Sequence, residues 1–487
     1  MSFSPTQPSF YWHDYETFGT DPRRDRPAQF AGQRTTLDLE PVGEPLTLYC
    51  RPAPDVLPQP VSCLITGITP QRAEREGVIE AQFAARVVEE LSLRGTCGVG
   101  YNTIRFDDEF TRNLLYRNFY DPYEREWKDD NARWDIIDLA RMCYALRPAG
   151  VEWPRHPDGA ASFRLEDLSA ANGLAHTQAH DALSDVQATI GLAQRLKRAQ
   201  PKLWEFYFGL RRKRAALALL DWVQRAPVLH VSARFGAERG CCAVVVPLAP
   251  HPEQPNKIVV YDLDVDPTPL LTLDAEEIAA RVFTARANLP EGTERVPLKL
   301  VHANRSPALA PLSVLKGTDT ARIGLDIERA LRHLAQIQSA PDLGEKLRRV
   351  YTRPVTSDAA APDPELAIYA GFCADSDKRV CASVRGTPQD QLARGAFDFR
   401  DARYAELLFR YRARNFPETL DAAERTRWRE FCRRRLSENT PLTGLTFEAY
   451  RAEIARLRSD PSLGATQRDL LDELDRWGDT LAASLAE

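Results

Sequence analysis

The sequence predicts a multi-domain α/β protein, and three observations support this prediction. The chain has 487 residues, which is enough for two to four domains. Its composition, 43% apolar and 27% charged, is that of a globular protein with a large core. The residue pattern also changes twice along the chain, near residue 201 and near residue 353.

Residues 1–200 alternate strand-like and helix-like stretches, which predicts a mixed α/β sheet domain. The strand-like stretches are SFYWHDYETF, EPLTLYCRP and TCGVGYN. Apolar residues at helical spacing mark IEAQFAARVVEEL, DDEFTRNLLYRNF and HDALSDVQATIGLAQRLKR. We expect Asp107 or Asp108 to cap the second of these helices and Asp181 to cap the third.

The rest of the chain predicts two further domains and a linker. Residues 201–352 contain β-branched runs such as CCAVVVPLAPHP and NKIVVYDLDV, which indicate a small β-rich domain. Residues 353–365, RPVTSDAAAPDPE, are rich in Pro, Ala and Asp and are the best candidate linker. Helical segments such as RYAELLFRYRARNF and AAERTRWREFCRRRL follow, so residues 366–487 are predicted to form an all-α domain.

Composition excludes some classes of protein and leaves others open. The net charge of −5 argues neither for nor against nucleic acid binding. The nine Cys residues show no CxxC spacing, which favours reduced thiols in a cytoplasmic protein. The sequence lacks a long apolar run, so we expect no membrane span, and its first residues lack the pattern of a secretory signal.

Two acids lie one residue apart within the first predicted strand. Residues two apart on a strand share a face, so Asp14 and Glu16 point the same way. Like charges this close raise each other's pKa unless a shared proton, an Arg partner or a metal ion compensates. The simplest alternative is that both acids lie at an exposed strand end and have no function.

Three more polar residues occupy positions that recur in enzyme sites. Asp107 follows an apolar run at a predicted helix start, and Asp185 lies in the first turns of a later helix, five residues after His180. Taken alone, each acid has an ordinary explanation, because acids near a helix start cap the helix or interact favourably with its dipole. Clusters of His and Cys with zinc-ligand spacing are absent from the sequence, which argues against a zinc hydrolase.

The ordered set of these motifs resembles that of a known enzyme family. D-x-E on a first strand, then N-x-x-x-F-D, then H-x-x-x-x-D, resembles the DEDD 3′→5′ exonucleases. The resemblance is to the subclass with His, because position 181 is Asp and not the Tyr of the other subclass. Longer segments, among them HDYETFGTDPRRDRPAQFAGQRT, RFDDEFTRNLLYRNFYDPY and YRARNFPETLD, resemble the bacterial exodeoxyribonuclease I family. The similarity is dense to about residue 200 and thinner beyond it.

The resemblance implies a fold and an activity. The fold is a ribonuclease H-like exonuclease domain over residues 1–200, an SH3-like domain over 201–352 and a helical domain over 366–487. The activity is hydrolysis of phosphodiester bonds: processive degradation of single-stranded DNA from its 3′ end to 5′-mononucleotides, in DNA repair and recombination.

The resemblance also implies a site with two metal ions. Asp14, Glu16 and Asp185 then bind Mg²⁺, for which Mn²⁺ substitutes, since Mg²⁺ prefers carboxylate oxygens. Asp107 acts on the second ion, directly or through water. His180 is the general base for the attacking water, because its unperturbed pKa lies near neutrality.

Cationic and aromatic side chains typical of single-strand binding follow the Asp107 motif. Arg117 is one of them. By resemblance, the DNA strand contacts Glu16, Arg112, Tyr123, Trp127, Arg141, Phe163, Arg164 and Tyr369. The alternative is that these aromatic residues belong to the core and that the Arg residues are solvated. The Arg-rich runs at 211–214 and 433–435 are interpreted as exposed faces, with contacts to phosphate or to an acidic partner as the alternative.

The family resemblance implies two further properties and leaves two alternatives. It implies a monomer that binds the acidic C-terminal tail of single-stranded DNA-binding protein through a basic, apolar pocket. One alternative is an exonuclease of the same superfamily that acts on RNA or in proofreading. The other is a non-catalytic single-strand binding protein, which would be expected to have lost some of the acids, whereas all four are present here.

Overall fold

A computed structural model describes residues 7–174, 181–352 and 362–486 of the chain. The chain divides into two units. The first comprises Met1–Ala132, His176–Gln187 and Ala359–Glu487, and the second comprises Arg133–Ala175 and Ala188–Asp358. The domain limits expected from the sequence stay a prediction, and residues 353–361 of the predicted linker lie outside the described residues.

Helices and strands alternate in the first part of the chain. In chain order they are β1 (Ser9–Thr17), β2 (Pro27–Thr35), β3 (Pro41–Tyr49), α1 (Pro60–Thr66), α2 (Pro70–Glu76), α3 (Glu80–Leu91), β4 (Thr96–Gly100), α4 (Asp107–Arg117), β5 (Ala132–Asp135), α5 (Ile136–Leu146), α6 (Leu165–Ala171) and α7 (Ala182–Ala199).

Short strands and then helices follow in the rest of the chain. They are α8 (Pro201–Gly209), α9 (Lys213–Leu219), β6 (Val228–Val231), β7 (Cys242–Pro250), β8 (Lys257–Asp262), α10 (Thr268–Thr272), α11 (Ala275–Phe283), β9 (Leu298–His302), β10 (Ala308–Pro311), α12 (Ile327–Ser339), α13 (Gly344–Tyr351), α14 (Asp375–Gly386), α15 (Arg403–Asn415), α16 (Ala422–Ser437), α17 (Phe447–Arg458) and α18 (Ala465–Ala486).

The first unit is built on a mixed sheet in which its strands follow the order β3-β2-β1-β4. Strand β1 is antiparallel to β2 and parallel to β4, so it lies inside the sheet. Its aromatic residues suit a pleated surface covered on both faces, and Tyr15 packs with Phe30 and Phe83 in the core. Strand β3 is more exposed than β2. The centre of the sheet is therefore the strand that carries Asp14 and Glu16.

The C-terminal helices α14 to α18 belong to this first unit. Leu471 and Tyr450, from α18 and α17, share an apolar cluster with Phe18, which directly follows β1. Buried ion pairs add to this packing: Glu365 accepts from Arg26 at 3.0 Å and from Arg414 at 2.6 Å. The end of the chain therefore contributes to the core that supports the sheet.

The second unit contains an antiparallel sheet with the strand order β10-β6-β7-β8-β9. Its centre is formed by buried β-branched residues, including Val244, Val246 and Val259. This sheet, the mixed sheet and the helical C-terminal segment confirm the predicted α/β multi-domain class. Among the described helices, none is long and apolar enough to cross a membrane.

Candidate active site

Asp14 and Glu16 lie side by side on the inner strand β1. Glu16 is only 7% exposed, and Asp14 is half-buried, whereas the other residues of β1 are buried. The strand continues through a buried Thr17, with an irregularity in its pairing with β2 between Glu16 and Thr17. The simplest alternative required both acids to lie at an exposed strand end. The structure contradicts it, because both lie within an inner strand.

Helix α7 brings the third acid to this strand. The carboxylate of Asp181 accepts from the backbone N–H of Ser184 at 3.1 Å, which confirms the predicted cap. Asp185 follows in the first turn. One carboxylate oxygen from each of Asp14, Glu16 and Asp185 lies within 4.8 Å of the others. Within the described ranges, no other three acidic, His or Cys side chains come together in this way.

The fourth acid reaches the site from the turn after β4. Asn102, with a φ of 64°, adopts the left-handed conformation that Asn tolerates and redirects the chain into α4. Asp107 is the first residue of α4, and the cap position is Phe106, so the prediction that Asp107 or Asp108 caps the helix is wrong. The carboxylate of Asp107 instead accepts from the backbone N–H of Tyr15 at 3.1 Å. Since Tyr15 lies between Asp14 and Glu16, this bond holds Asp107 against the other acids.

Burial and mutual repulsion raise the pKa values of these carboxyl groups. Burial, followed by the charges of Asp185 and Asp107, raises the pKa of Glu16 to about 8. Burial, followed by the charge of Asp108, raises the pKa of Asp107 to about 8. The pKa of Asp14 is raised well above its usual value by burial and then by the charge of Asp107. The group is therefore poised to release protons when a positive charge arrives.

The chemistry of the donors fits a hard divalent cation. All three converging side chains offer carboxylate oxygens, the ligands that Mg²⁺ and Mn²⁺ prefer. The largest charge effects on Asp14 and Glu16 come from other carboxylates and not from an Arg partner. A bound cation would replace this repulsion with attraction.

Sequence reasoning missed two buried polar residues that border the acids. Arg125 pairs with Asp108, directly beside Asp107, at 2.5 Å. Gln29 accepts from the backbone N–H of Ala182, the first residue of α7. Neither residue belongs to the three acid motifs, and only the paired strands and the folded loops bring them to the site. The predicted general base, His180, lies outside the described residues.

Besides Glu16, four predicted DNA contacts lie in the first unit. Arg112 binds Glu126 through two N–H groups, at 2.7 and 2.8 Å, and lies 5.2 Å from the ring centre of Tyr123. Tyr369 donates to Glu109 and accepts from Arg112 at 3.4 Å. Trp127 is 63% exposed. The structure therefore brings Arg112, Tyr123 and Tyr369 together and leaves the Trp127 ring accessible.

Arg117 does not fit the role of a surface contact. It is buried and binds the carboxylate of Glu80 at 3.2 and 3.3 Å. Its charge compensates that of Glu80. Arg112 is also buried and paired with a carboxylate, so the contact of either residue with the strand stays a prediction.

The other predicted contacts lie in the second unit. Arg141 binds Asp138 at 2.7 Å, and its guanidinium lies 5.7 Å from the ring centre of Phe163. Arg164 is exposed and pairs with Glu166 at 2.7 Å. Arg141 and Phe163 therefore form one group, and Arg164 follows Phe163 at the surface.

The two Arg-rich runs differ in exposure. Arg212, Lys213 and Arg214 are exposed, as predicted. In the second run Arg433 and Arg434 are exposed, but Arg435 is buried and binds Asp55. The interpretation of residues 433–435 as a solvated face is therefore wrong for Arg435, whose charge compensates a buried carboxylate.

Nearly the whole chain matches known protein families. Residues 11–193 match the family described as Exonuclease. Residues 211–353 match the Exonuclease I SH3-like domain, and residues 362–481 match the Exonuclease I C-terminal domain. These matches confirm the three kinds of domain that the sequence resemblance implied.

Individual relatives cover the same length. Exodeoxyribonuclease I of Escherichia coli (strain K12) is 46% identical over 432 residues, which are 88% of this chain and 90% of that protein. The structure of a moderately thermophilic Exonuclease I from Methylocaldum szegediense is 51% identical and superposes with a TM-score of 0.94, covering 97% of this chain and 99% of that one. The zinc-bound form of the E. coli ExoI–ssDNA complex is 44% identical, with a TM-score of 0.92, covering 98% of this chain and 100% of that one. The chain therefore belongs to the exodeoxyribonuclease I family.

Proposed function

We propose that this protein is a metal-dependent 3′→5′ exonuclease that degrades single-stranded DNA processively to 5′-mononucleotides, in DNA repair and recombination. The observation that carries the proposal is the meeting of three carboxylates, from Asp14, Glu16 and Asp185, within 4.8 Å. Membership of the exodeoxyribonuclease I family supports the choice of DNA, and similarity to a protein whose complex with single-stranded DNA is known supports the choice of a single strand.

Asp14, Glu16 and Asp185 would hold two Mg²⁺ ions, with Mn²⁺ as a substitute. When bound, such ions neutralise charge on the phosphate and on the leaving 3′ oxygen. The three carboxylates set where the cations sit, because they project from a rigid inner strand and from a capped helix start. Asp107, held by the Tyr15 N–H, would act on the second ion directly or through water.

His180 is proposed to take the proton from the attacking water. An imidazole suits this task because its ordinary pKa lies near the working pH. Asp181, the next residue, caps α7 through Ser184. The hydrogen bond between Asp181 and Ser184 therefore fixes the backbone directly after position 180, at the start of the helix that carries Asp185.

Aromatic and cationic side chains are proposed to hold the strand. The exposed ring of Trp127 offers a face on which a base can stack. Further proposed contacts are Glu16, Arg112, Tyr123 and Tyr369 in the first unit, and Arg141, Phe163 and Arg164 in the second. Arg112 and Arg141 already bind carboxylates, which neutralise part of their positive charge. We therefore infer that they help to position the DNA strand but contribute little net charge to its binding.

The acidic tail of single-stranded DNA-binding protein is the proposed protein partner. A cavity of about 540 Å³ in the second unit combines the cationic Arg147 and Lys202 with the apolar Leu203, Phe206 and Val314. Arg147 donates to the backbone oxygens of Val314 and Lys316, both at 3.0 Å, which fixes its charge at this cavity. The positive charge of this surface is complementary to an acidic peptide.

Three further properties complete the proposal. The protein is a cytoplasmic monomer, and its nine Cys residues, which form no disulfide, suit a reducing compartment. The domain limits are 1–200, 201–352 and 366–487, joined by a linker at 353–365. The family matches at 11–193 and 211–353 support the first two ranges, and the match at 362–481 begins within the proposed linker.

The test is to incubate the protein and Mg²⁺ with single-stranded DNA and RNA of the same sequence, labelled at the 5′ end. We expect stepwise shortening of the DNA from its 3′ end and release of mononucleotides, and no reaction with a chelator or with Asp14→Asn. Preference for RNA would favour the alternative exonuclease. Binding without cleavage would favour a single-strand binding protein. Either result would contradict the proposal.

A further inference from the structure

Gln29 occupies a buried position beside the acids. It lies on β2 directly opposite Glu16 of β1, and it is only 1% exposed. On its other side it pairs with Tyr49 of β3. Directly opposed residues on neighbouring antiparallel strands share a face of the sheet. Glu16, Gln29 and Tyr49 therefore form a row across three strands, on the face that meets the start of α7.

The amide of Gln29 bridges this row to α7. Its oxygen accepts from the backbone N–H of Ala182 at 3.2 Å. Its nitrogen donates to the Tyr49 hydroxyl at 3.0 Å and to the Asp181 carboxylate at 3.5 Å. Because a backbone N–H can only donate, the atom that faces Ala182 must be the amide oxygen, which leaves the nitrogen for Asp181 and Tyr49.

A second contact supports the outer end of this bridge. Arg72 of α2 donates to the Tyr49 hydroxyl at 2.6 Å, and its guanidinium lies 4.9 Å from the centre of the Tyr49 ring. Tyr49 is therefore itself held in place, and it restrains the orientation of the Gln29 amide. The bridge extends from α2 through β3 and β2 to the first residue of α7.

This bridge opposes a repulsion that is built into the site. Asp181 and Asp185 both act to raise the pKa values of Asp14 and Glu16, which means that the negative charges of α7 and β1 repel each other. Gln29 is neutral, so it can join the start of α7 to the sheet without adding to this charge. Asp185 lies three residues after Ala182 in the same helical turn, so the hydrogen bond to Ala182 restrains its distance from Glu16.

We propose that Gln29 is a positioning residue, which keeps Asp185 at metal-binding distance from Asp14 and Glu16. This inference rests on the proposed function, because it treats these three carboxylates as a metal site. Residues that orient metal ligands typically contribute about 10- to 100-fold to metal affinity or activity. Gln29 therefore affects metal binding without touching the metal or the DNA.

The experiment measures binding of Mn²⁺ alone to the metal-free full-length protein by calorimetry. Gln29→Met keeps the length and burial of the side chain and removes its hydrogen bonds, and we expect it to raise the Kd for Mn²⁺ about 10- to 100-fold. In DNA cleavage we expect kcat to fall at limiting Mn²⁺ and to recover with excess Mn²⁺, while KM for DNA stays unchanged. Excess metal also stabilises a destabilised fold, so the variant must in addition show the wild-type unfolding midpoint without metal, which a general loss of packing would lower.

Gln33→Met is the matched control. Gln33 lies four residues along β2 on the same face and is also buried, but it donates to the backbone oxygens of Arg34, Val42 and Gly43. We expect its Mn²⁺ affinity to stay within about twofold of the wild type, which is the result for a residue that orients no ligand. Equal weakening in both variants would overturn the positioning role, as would unchanged affinity in Gln29→Met.

If Gln29→Met does not fold, a second variant at the same position provides the test. Gln29→Asn keeps the amide but is one methylene shorter, so it cannot bridge β2 and α7 in the same way, and we expect the same weakening of Mn²⁺ binding. Wild-type Mn²⁺ affinity in a folded Gln29→Asn protein would overturn the inference. If the wild type itself neither bound Mn²⁺ nor cleaved DNA, the proposed function would fail first, and the inference with it.

Discussion

The guanidinium of Arg414 binds the carboxylate of Asp55, which lies 359 residues earlier in the chain, through two N–H groups at 3.0 and 2.7 Å. Asp55 is fully buried and also accepts from Arg435. Arg414 and Arg435 belong to helices α15 and α16 of the C-terminal segment. A buried ionic cluster therefore joins the beginning and the end of the first unit.

Removing the Asp55 charge is expected to destabilise the first unit strongly. Asp55→Asn would leave two buried cations, Arg414 and Arg435, with Glu365 as their remaining carboxylate, and breaking a buried ion pair typically costs about 3–5 kcal/mol. The measurement is calorimetric unfolding of both proteins at neutral pH. Asp479→Asn is the control, since its pair with Arg451 is exposed and such pairs contribute about 0–1 kcal/mol. A similar loss of unfolding free energy in both variants would show that the buried cluster stabilises the protein no more than an exposed ion pair does.

The effect of Asp55→Asn should depend on pH in a defined direction. Burial alone would raise the pKa of Asp55, but Arg414 and Arg435 together hold it below its usual value. A carboxyl with a lowered folded-state pKa stabilises the protein above its unfolded pKa, about 4, and this contribution is lost as the pH falls towards the folded-state value. We therefore expect the stability difference between wild type and Asp55→Asn to be constant above about pH 5 and to shrink below about pH 4. Unfolding curves over this range would test it, and a difference that grows on acidification would contradict it.

The acids of the site predict the opposite pH dependence for the metal-free protein. The pKa values of Glu16 and Asp107 are raised to about 8, so these groups stay protonated in the folded chain after the unfolded chain has lost the same protons. Their contribution to stability is therefore present below about pH 4 and is lost as the pH rises through about 8. Metal binding displaces these protons, so stabilisation by Mg²⁺ should increase as the pH rises from about 6 to about 9.

The measurement is the midpoint of thermal unfolding with excess Mg²⁺ and with a chelator at each pH. Glu16→Gln removes one of the titrating ligands, so it should reduce the stabilisation by Mg²⁺ at high pH. If Mg²⁺ raised the unfolding midpoint of the wild type equally at every pH, protons and metal would not compete for these carboxylates.

The convergence of the acids could be predicted because short-range rules fix part of it. Asp14 and Glu16 share a face through strand periodicity alone. The cap at Asp181 places Asp185 in the first turn of α7. The meeting of β1, α4 and α7 followed only from the resemblance to a family, because no local rule places segments so far apart in the sequence in contact.

Contacts that depend on register or on distant partners could not be predicted. Gln29 affects the site because it pairs with Glu16 across two strands, and no motif marks that pairing. Arg117 and Arg435 have the sequence surroundings of surface cations, yet each is buried against a carboxylate, Glu80 and Asp55 respectively. A sequence records charge but not the distant group that compensates it.

Loss of the proposed general base should separate binding from turnover. His180→Ala removes the imidazole that would accept the proton of the attacking water, and general-base help typically contributes about 10²- to 10⁴-fold. We expect kcat to fall in this range, while the affinities for Mn²⁺ and for single-stranded DNA stay close to those of the wild type. Single-turnover cleavage and DNA binding in Ca²⁺ would measure the two properties. His156→Ala, at an exposed position, is the control and should cleave normally. A near-normal rate in His180→Ala would assign the proton transfer to another group.

Removal of the exposed indole of Trp127 should weaken binding of the DNA strand. Trp127 is 63% exposed although it is the largest type of apolar side chain, and stacking on a base would cover that ring. We expect Trp127→Ala to cost about 1–3 kcal/mol of binding free energy, or roughly 5- to 150-fold in Kd for a single-stranded oligonucleotide. Fluorescence anisotropy with the metal-free protein gives the Kd without cleavage. Phe283→Ala removes another exposed ring, at 42% exposure, and should leave the Kd unchanged. If both variants bind DNA like the wild type and unfold at its temperature, Trp127 does not stack on the strand, because a stacked ring of this size cannot be removed without a loss of affinity.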